Sequence, residues 1–343
     1  MMSHWTRLAR VRFPEFRYLM ETSAAQNLRD TSVSMQQGAP FPSADELAAF
    51  YKSYRAQRAS HLPGIDWELA DRVLSKMAPV TPDEDTAVWG VILETRAHPN
   101  LEYTVCDACE RLAIPVQVIH GISNREFILG TRIAELVEAG QVVLTEIDDT
   151  EFSVDAYNGM FMAPDFWQRL KGRKKILVFQ TDSILCPGSD FTLSDFMGFD
   201  YIGSAWKYEA NPEINFRGGN GGFSLRDWRS SVECLTQFPP ADWPSSEDKY
   251  FAFHMELLGA KVANSHDSLR FSSEKWFFYK SFGAHQVSRM SPVVLGLFID
   301  YCPEATRIAD DKEVDRNLLR RIRARMKSFV LRRALDKSVQ AGL

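Results

Sequence analysis

Ile176-Leu177-Val178-Phe179-Gln180-Thr181-Asp182-Ser183 is a run of four apolar residues passing directly into four polar ones. A short apolar run bounded by turn-forming residues reads as a buried strand, so this one delivers a carboxylate to the edge of a sheet. Val88 to Leu93, Val116 to Ile119 and Val142 to Ile147 have the same character. Helical periods fit between them. Asn100 can cap a helix running to Ala113, Asn124 can cap another to Ala139, and a third falls between Asp155 and Leu170. Such alternation predicts an α/β fold, a mostly parallel sheet flanked by helices on both faces. In open sheets of this kind ligands bind beyond the carboxyl ends of the strands.

Outside that region the pattern is helical. Ser43 and Glu46 form a capping box that opens a helix through Arg55, Pro63-Gly64 ends it, and a second helix covers Trp67 to Lys76. Pro79 and Pro82 mark a boundary. The chain is therefore divided into a helical N-terminal extension (1–85), an α/β domain (86–308) and a C-terminal extension (309–343), with the first forty residues expected to be partly mobile. Near the end, Leu318, Leu319, Ile322, Met326, Phe329 and Val330 recur at helical spacing among Arg320, Arg321, Arg323, Arg325, Lys327, Arg332 and Arg333. This predicts a basic amphipathic helix that docks on the domain. A peripheral contact with an anionic membrane surface or a partner protein is the alternative.

Composition narrows the function. The 343 residues are 45% hydrophobic and 25% charged, a globular balance that permits a large core. Forty Lys and Arg against forty-five Asp and Glu leave a net charge of -5, so no global basic field exists to neutralise nucleic-acid phosphates. Arg7, Arg10, Arg12, Glu15 and Arg17 interrupt the start, and no apolar run reaches the roughly eighteen residues of a transmembrane helix. Five cysteines at irregular spacing make no disulfide framework, which suits a reducing cytoplasm. Cys106 and Cys109 form a lone C-x-x-C inside a helical stretch and read as buried structural thiols, with redox or metal chemistry as the alternative.

Four stretches carry residues suited to chemistry. Asp182 could cap its turn or supply an oxygen to Mg²⁺ or Mn²⁺, which take few protein ligands when phosphates supply the rest. In Arg217 to Arg226, four glycines around Asn220 form a loop through which backbone could approach a ligand, and Arg226 could bind a phosphate. Glu247-Asp248 opens an apolar helix, where acids complement the dipole but could also serve as a general base. His285 follows Gly283 after an aromatic stretch and is a candidate metal ligand; His254 and His266 are weaker ones. Trp206, Trp243, Trp276 and Tyr279 could stack on sugar faces or belong to the core.

In order, Glu94-Thr95-Arg96, Gln180 to Ser183, Tyr201 to Trp206, Gly219 to Arg226, Glu247-Asp248 and Gly283 to His285 resemble a set of GT-A-like (Rossmann-like) glycosyltransferase domains. The resemblance covers Thr86 to Gln286. It implies a nucleotide-sugar site built from Glu94, Thr95, Arg96, Gln180, Thr181, Asp182, Trp206, Asn220, Gly221, Gly222 and Arg226. It also implies a Mn²⁺ or Mg²⁺ held by Asp182 and His285, and Asp248 as the base of an inverting transfer to an acceptor hydroxyl, with Glu247 as the alternative. Gln180-Thr181-Asp182 supplies one carboxylate where the familiar Asp-x-Asp segment has two. An inactive GT-A-like binding module and a metal-dependent nucleotide-sugar pyrophosphohydrolase are the competing readings.

Overall fold

Helix α1 (Ala44–Arg58) begins as its capping box predicts: the Ser43 amide donates to Glu46 Oε2 at 2.7 Å and the Glu46 amide to Ser43 Oγ at 3.3 Å. The computed structural model describes residues 42–58, 64–148, 152–206 and 216–309. The first forty residues and the basic stretch from Leu318 to Arg333 lie outside the described residues. Helix α2 (Trp67–Lys76) is capped by Asp66, whose side chain accepts from the Leu69 amide.

The four expected strands are β1 (Val88–Glu94), β2 (Val116–Gly121), β3 (Val142–Ile147) and β4 (Lys175–Phe179). They are mutually parallel, and two strands the sequence reading had not assigned complete the sheet. These are β6 (Tyr201–Ser204) and β7 (Asn220–Asp227), in the order β3-β2-β1-β4-β7-β6, with β7 antiparallel to both neighbours. The stretch read as a Gly-rich loop is thus largely a central strand, and Ser224, Leu225 and Arg226 are fully buried within it. A second sheet, β5-β9-β8, joins β5 (Ser183–Leu185), β9 (Gly283–His285) and β8 (Ser272–Ser273).

Connecting helices follow the expected order with two breaks. The helix from Asn124 divides into α4 (Arg125–Leu129) and α5 (Ile133–Glu138), after α3 (Leu101–Leu112), because Gly130 ends the first. The next divides into α6 (Val154–Phe161) and α7 (Pro164–Gln168), since Pro164 holds Ala163 extended. Helices α8 (Trp228–Gln237), α9 (Glu247–Leu257), α10 (Ser265–Phe271) and α11 (Pro292–Ile299) complete the described set. No described helix is long and apolar enough to cross a membrane.

Strand residues alternate between two cores. Trp89, Val91, Ile176 and Val178 pack with α6, α7 and α9 on one face, while Val88, Ile92, Leu177 and Phe179 pack with α3 and α10 on the other. Tyr51, Leu69, Val73 and Leu74 of the N-terminal helices belong to the first core, together with Trp167 and Phe251. Those helices therefore share the hydrophobic core of the α/β region.

One contact ties α1 to α9. His254 is buried, its Nδ1 lies 2.8 Å from the Tyr250 carbonyl, and its Nε2 lies 2.6 Å from Tyr51 Oη. The carbonyl fixes the proton on Nδ1, so Nε2 accepts from the phenol. Burial lowers the His254 pKa to about 3. The unfolded chain takes up a proton below about pH 6.5 that the folded chain refuses, so this stability is complete above that pH and is lost as pH falls towards 3. Wild type should lose about 2 kcal/mol more than His254→Gln between pH 7 and pH 5, read from urea midpoints. Parallel pH profiles for the two proteins would show that the ring does not act this way.

Candidate active site

Strand order reverses between β1 and β4, and their carboxyl ends open on one edge. Because β7 is antiparallel, its start lies at that edge too, with Phe179 paired to Phe223.

At the end of β1, Glu94 is buried and forks to Arg96, with Nε to Oε1 and Nη2 to Oε2 both 2.8 Å, while the Arg96 amide donates to Oε1 at 3.0 Å. Thr181 Oγ1 donates to Glu94 Oε2 at 3.2 Å. Burial pushes the Glu94 carboxyl up, but these donors outweigh it and leave the pKa below the ordinary value. The Arg96 side chain remains 72% exposed at the mouth. Ser123 Oγ donates to the Thr95 carbonyl at 3.2 Å. Asn124, read as a helix cap, makes no capping bond. Its Nδ2 instead donates to the carbonyls of Glu94 (2.8 Å) and Arg96 (3.0 Å) and clamps the end of β1. A buried Asn thirty residues away in sequence carries no local signal of that role.

At the end of β4, the chain turns through Gln180 to Asp182, with the Ser183 amide donating to the Gln180 carbonyl at 2.9 Å. Strand β5 pairs Ser183 with His285. The imidazole is buried: its Nε2 is 3.2 Å from Gln180 Oε1 and 3.3 Å from Asp182 Oδ1, and its Nδ1 is 3.7 Å from Glu274 Oε2. Burial opposes its charge, yet the two carboxylates raise the pKa to about 9. The Asp182 carboxyl falls below its ordinary value, since His285 outweighs the burial that raises it. The structure brings Asp182 and His285 together, though 105 positions separate His285 from its neighbour Gln180.

Gly221 and Gly222 sit at an irregularity where the pairing of β6 with β7 shifts register between Gly203 and Ser204. Asn220 Oδ1 accepts from the Gly222 amide at 2.8 Å. A Cβ on Gly221 would overlap Glu247 Oε1 and Arg226 Nη2, and one on Gly222 would overlap the His285 ring and Gln180 Oε1. These glycines make room for the protein's own side chains, whereas the sequence suggested room for a ligand. Trp206 packs on the first core and meets Phe216 edge-on at 6.1 Å. Trp243 is core, at 2% exposure, while Tyr279 is 53% exposed. His266 meets Phe278 edge-on. Cys106 and Cys109 are free and buried, and burial raises both thiols.

Two sequence assignments need correction. Arg226 cannot meet a phosphate, because its side chain is fully buried and forks to Glu247, with Nη1 to Oε2 at 2.6 Å and Nη2 to Oε1 at 3.0 Å. Phe161, Tyr201 and Phe251 surround the guanidinium, with ring centroids 5.2 to 5.4 Å away. Glu247 is committed to that pair and is not placed to act as a base. Although burial works against the Arg226 cation, Glu247 and neighbouring groups raise its pKa, so the charge is kept. Asp248, one residue on, is arranged differently. Its Oδ1 accepts from Ser246 Oγ and from the Lys249 amide (2.7 Å), and its Oδ2 accepts from the Gly221 amide at 3.3 Å.

A family model described as a protein of unknown function, DUF5672, matches residues 141–285, which run from β3 through β9. No curated protein matches the chain. Among solved structures, a proposed glucose-1-phosphate thymidylyltransferase of Bacillus anthracis, in complex with a sucrose, is 12% identical. It covers 66% of this chain and 97% of its own, with a TM-score of 0.37.

Removing one member of the buried pair should unfold the protein before it changes ligand affinity. Arg226→Met should cost about 3 to 5 kcal/mol in chemical denaturation by leaving Glu247 uncompensated, and Arg226→Met/Glu247→Gln should recover much of that. A stable Arg226→Met protein with weakened nucleotide binding would restore the ligand-binding role.

Proposed function

We propose that this chain is a GT-A-type glycosyltransferase, moving a sugar from a nucleotide-sugar donor to an acceptor hydroxyl with inversion. One juxtaposition supports the reading most. The end of β1, the Gln180 to Asp182 turn, the start of β7, Asp248 and His285 converge at the edge where strand order reverses, the usual place for ligands in open α/β sheets.

Mn²⁺ or Mg²⁺ fits Asp182 and His285. Asp182 Oδ1 has no hydrogen-bond partner and lies 3.3 Å from His285 Nε2. That is near the roughly 3 Å separating adjacent ligands of an octahedral ion with bonds of about 2.1 Å. No cluster of three or more His, Cys, Asp or Glu holds a metal among the described residues, so phosphates of the donor would complete the shell. A cation bound there would offset charge building on the diphosphate as it leaves.

The chain's own groups do the rest. Arg96 presents an exposed guanidinium at the mouth, oriented by Glu94, where it can meet a phosphate. Asp248 is held by Ser246, Lys249 and Gly221, and takes the proton of the acceptor hydroxyl as its oxygen bonds to the anomeric carbon. The bond from that carbon to the diphosphate oxygen breaks with its electron pair, and attack from the opposite side inverts the centre.

Asp248→Asn keeps shape while removing basicity, so turnover should fall by roughly 10² to 10⁴ with donor affinity little changed. Near-normal turnover in a folded Asp248→Asn protein would remove the base. Separately, Asp182→Ala and His285→Ala should each weaken nucleoside diphosphate binding in saturating Mn²⁺, measured by calorimetry. Cleavage of the donor diphosphate without transfer would mark a pyrophosphohydrolase, and donor binding without turnover a binding module.

A further inference from the structure

We infer that Glu274 is a positioning residue that holds the His285 ring for the cation at Asp182, an inference that rests on the metal reading above. Glu274 directly follows β8, is only 3% exposed, and places Oε2 3.7 Å from His285 Nδ1. Its other oxygen, Oε1, accepts from Arg289 Nη1 at 3.0 Å. Both Glu274 Oε2 and His285 Nδ1 are buried without a hydrogen-bond partner. Shortening that separation by less than about 1 Å would satisfy the two atoms together.

The ring therefore lies between an inner carboxylate, Glu274, and an outer one, Asp182, whose side chain is 39% exposed. Its backbone is fixed because β9 is the middle strand of the small sheet, and Gly222 lets the ring pack flush against β7. A carboxylate that accepts a hydrogen bond from Nδ1–H leaves Nε2, which faces Asp182 Oδ1 and Gln180 Oε1, as the nitrogen on which a cation would replace the proton, and fixes the ring's orientation. Anchoring Arg289 does not explain Glu274. The Arg289 side chain is 47% exposed and can be hydrated, whereas that role would leave Glu274 Oε2 buried with nothing to bind.

The test uses the full chain and Mn²⁺ alone, titrated against the free-ion electron paramagnetic resonance signal, with thermal unfolding recorded for every variant. Glu274→Gln should bind Mn²⁺ about 10- to 100-fold more weakly than wild type, the usual effect of losing a carboxylate behind a ligating histidine. Glu274→Asp, which keeps the charge on a shorter arm, should recover part of the loss. Asp182→Ala should abolish binding. A folded Glu274→Gln protein that binds Mn²⁺ as wild type does, while Asp182→Ala does not, would overturn the inference and leave the metal reading standing. Wild type that binds Mn²⁺ neither alone nor with a saturating nucleoside diphosphate overturns both. If Glu274→Gln does not fold, Glu274→Asp carries the test, and wild-type affinity in that variant is the overturning result.

Discussion

The Arg226–Glu247 pair sets the terms for the rest of the molecule. Both side chains are out of water, and the desolvation of two charges is recovered only when they meet in good geometry with their remaining donors satisfied. Arg226 meets this condition with a two-point fork to Glu247 and a bond from Nε to Ser224 Oγ at 2.9 Å. The pair joins β7, in the centre of the sheet, to the first turn of α9. Position 221 must then lack a Cβ, since Glu247 and Arg226 fill that space. It also follows that Asp248, the next residue on α9, reaches the Gly221 amide at the sheet edge. A structural ion pair thereby fixes where a second buried carboxylate, Asp248, meets the sheet edge.

The opposite side of the edge is organised by shared partners. Glu94 accepts from both Arg96 and Thr181, so the ends of β1 and β4 are joined by one buried carboxylate. Asn124 holds the backbone of the same β1 turn. Ser183 takes a hydrogen bond from the Gln180 amide and donates to the Gly222 carbonyl at 3.0 Å, which links the turn after β4 to the start of β7. A shift in any of these loops is felt by the others, because the connecting groups are buried and have few alternatives in water.

The N-terminal helices have a comparable role at longer range. Tyr51 meets His254 on α9, and Tyr54 stacks on Trp243 with centroids 5.9 Å apart. The helix that begins with Glu247 and Asp248 is thus supported by α1 both in its last turn, at His254, and just before its start, at Trp243. Stability there and geometry at the sheet edge are properties of one element.

Much of this was legible in the sequence, because the relevant signals are local. Apolar runs and helical periods located β1 to β4 and the helices between them, the Ser43 to Glu46 box located the start of α1, and the polar residues after Phe179 marked the end of β4 at the sheet edge. The breaks at Gly130 and Pro164 have local causes too, though periodicity alone passed over them. Burial and pairing were not legible. Glycine content made Gly219 to Arg226 look like a loop, yet sheet pairing made it a strand, because neighbours on both sides offer hydrogen bonds that outweigh weak local propensity. Arg226 reads as a phosphate ligand and Glu247 as a helix-opening acid or base until the fold supplies each with its partner. His285 and Glu274 meet only through the small sheet, and Asn124 meets the end of β1 only in the folded chain. A sequence fixes which side chains a short segment offers. Which of them face water, and which are spent on one another, depends on contacts between segments far apart in the chain.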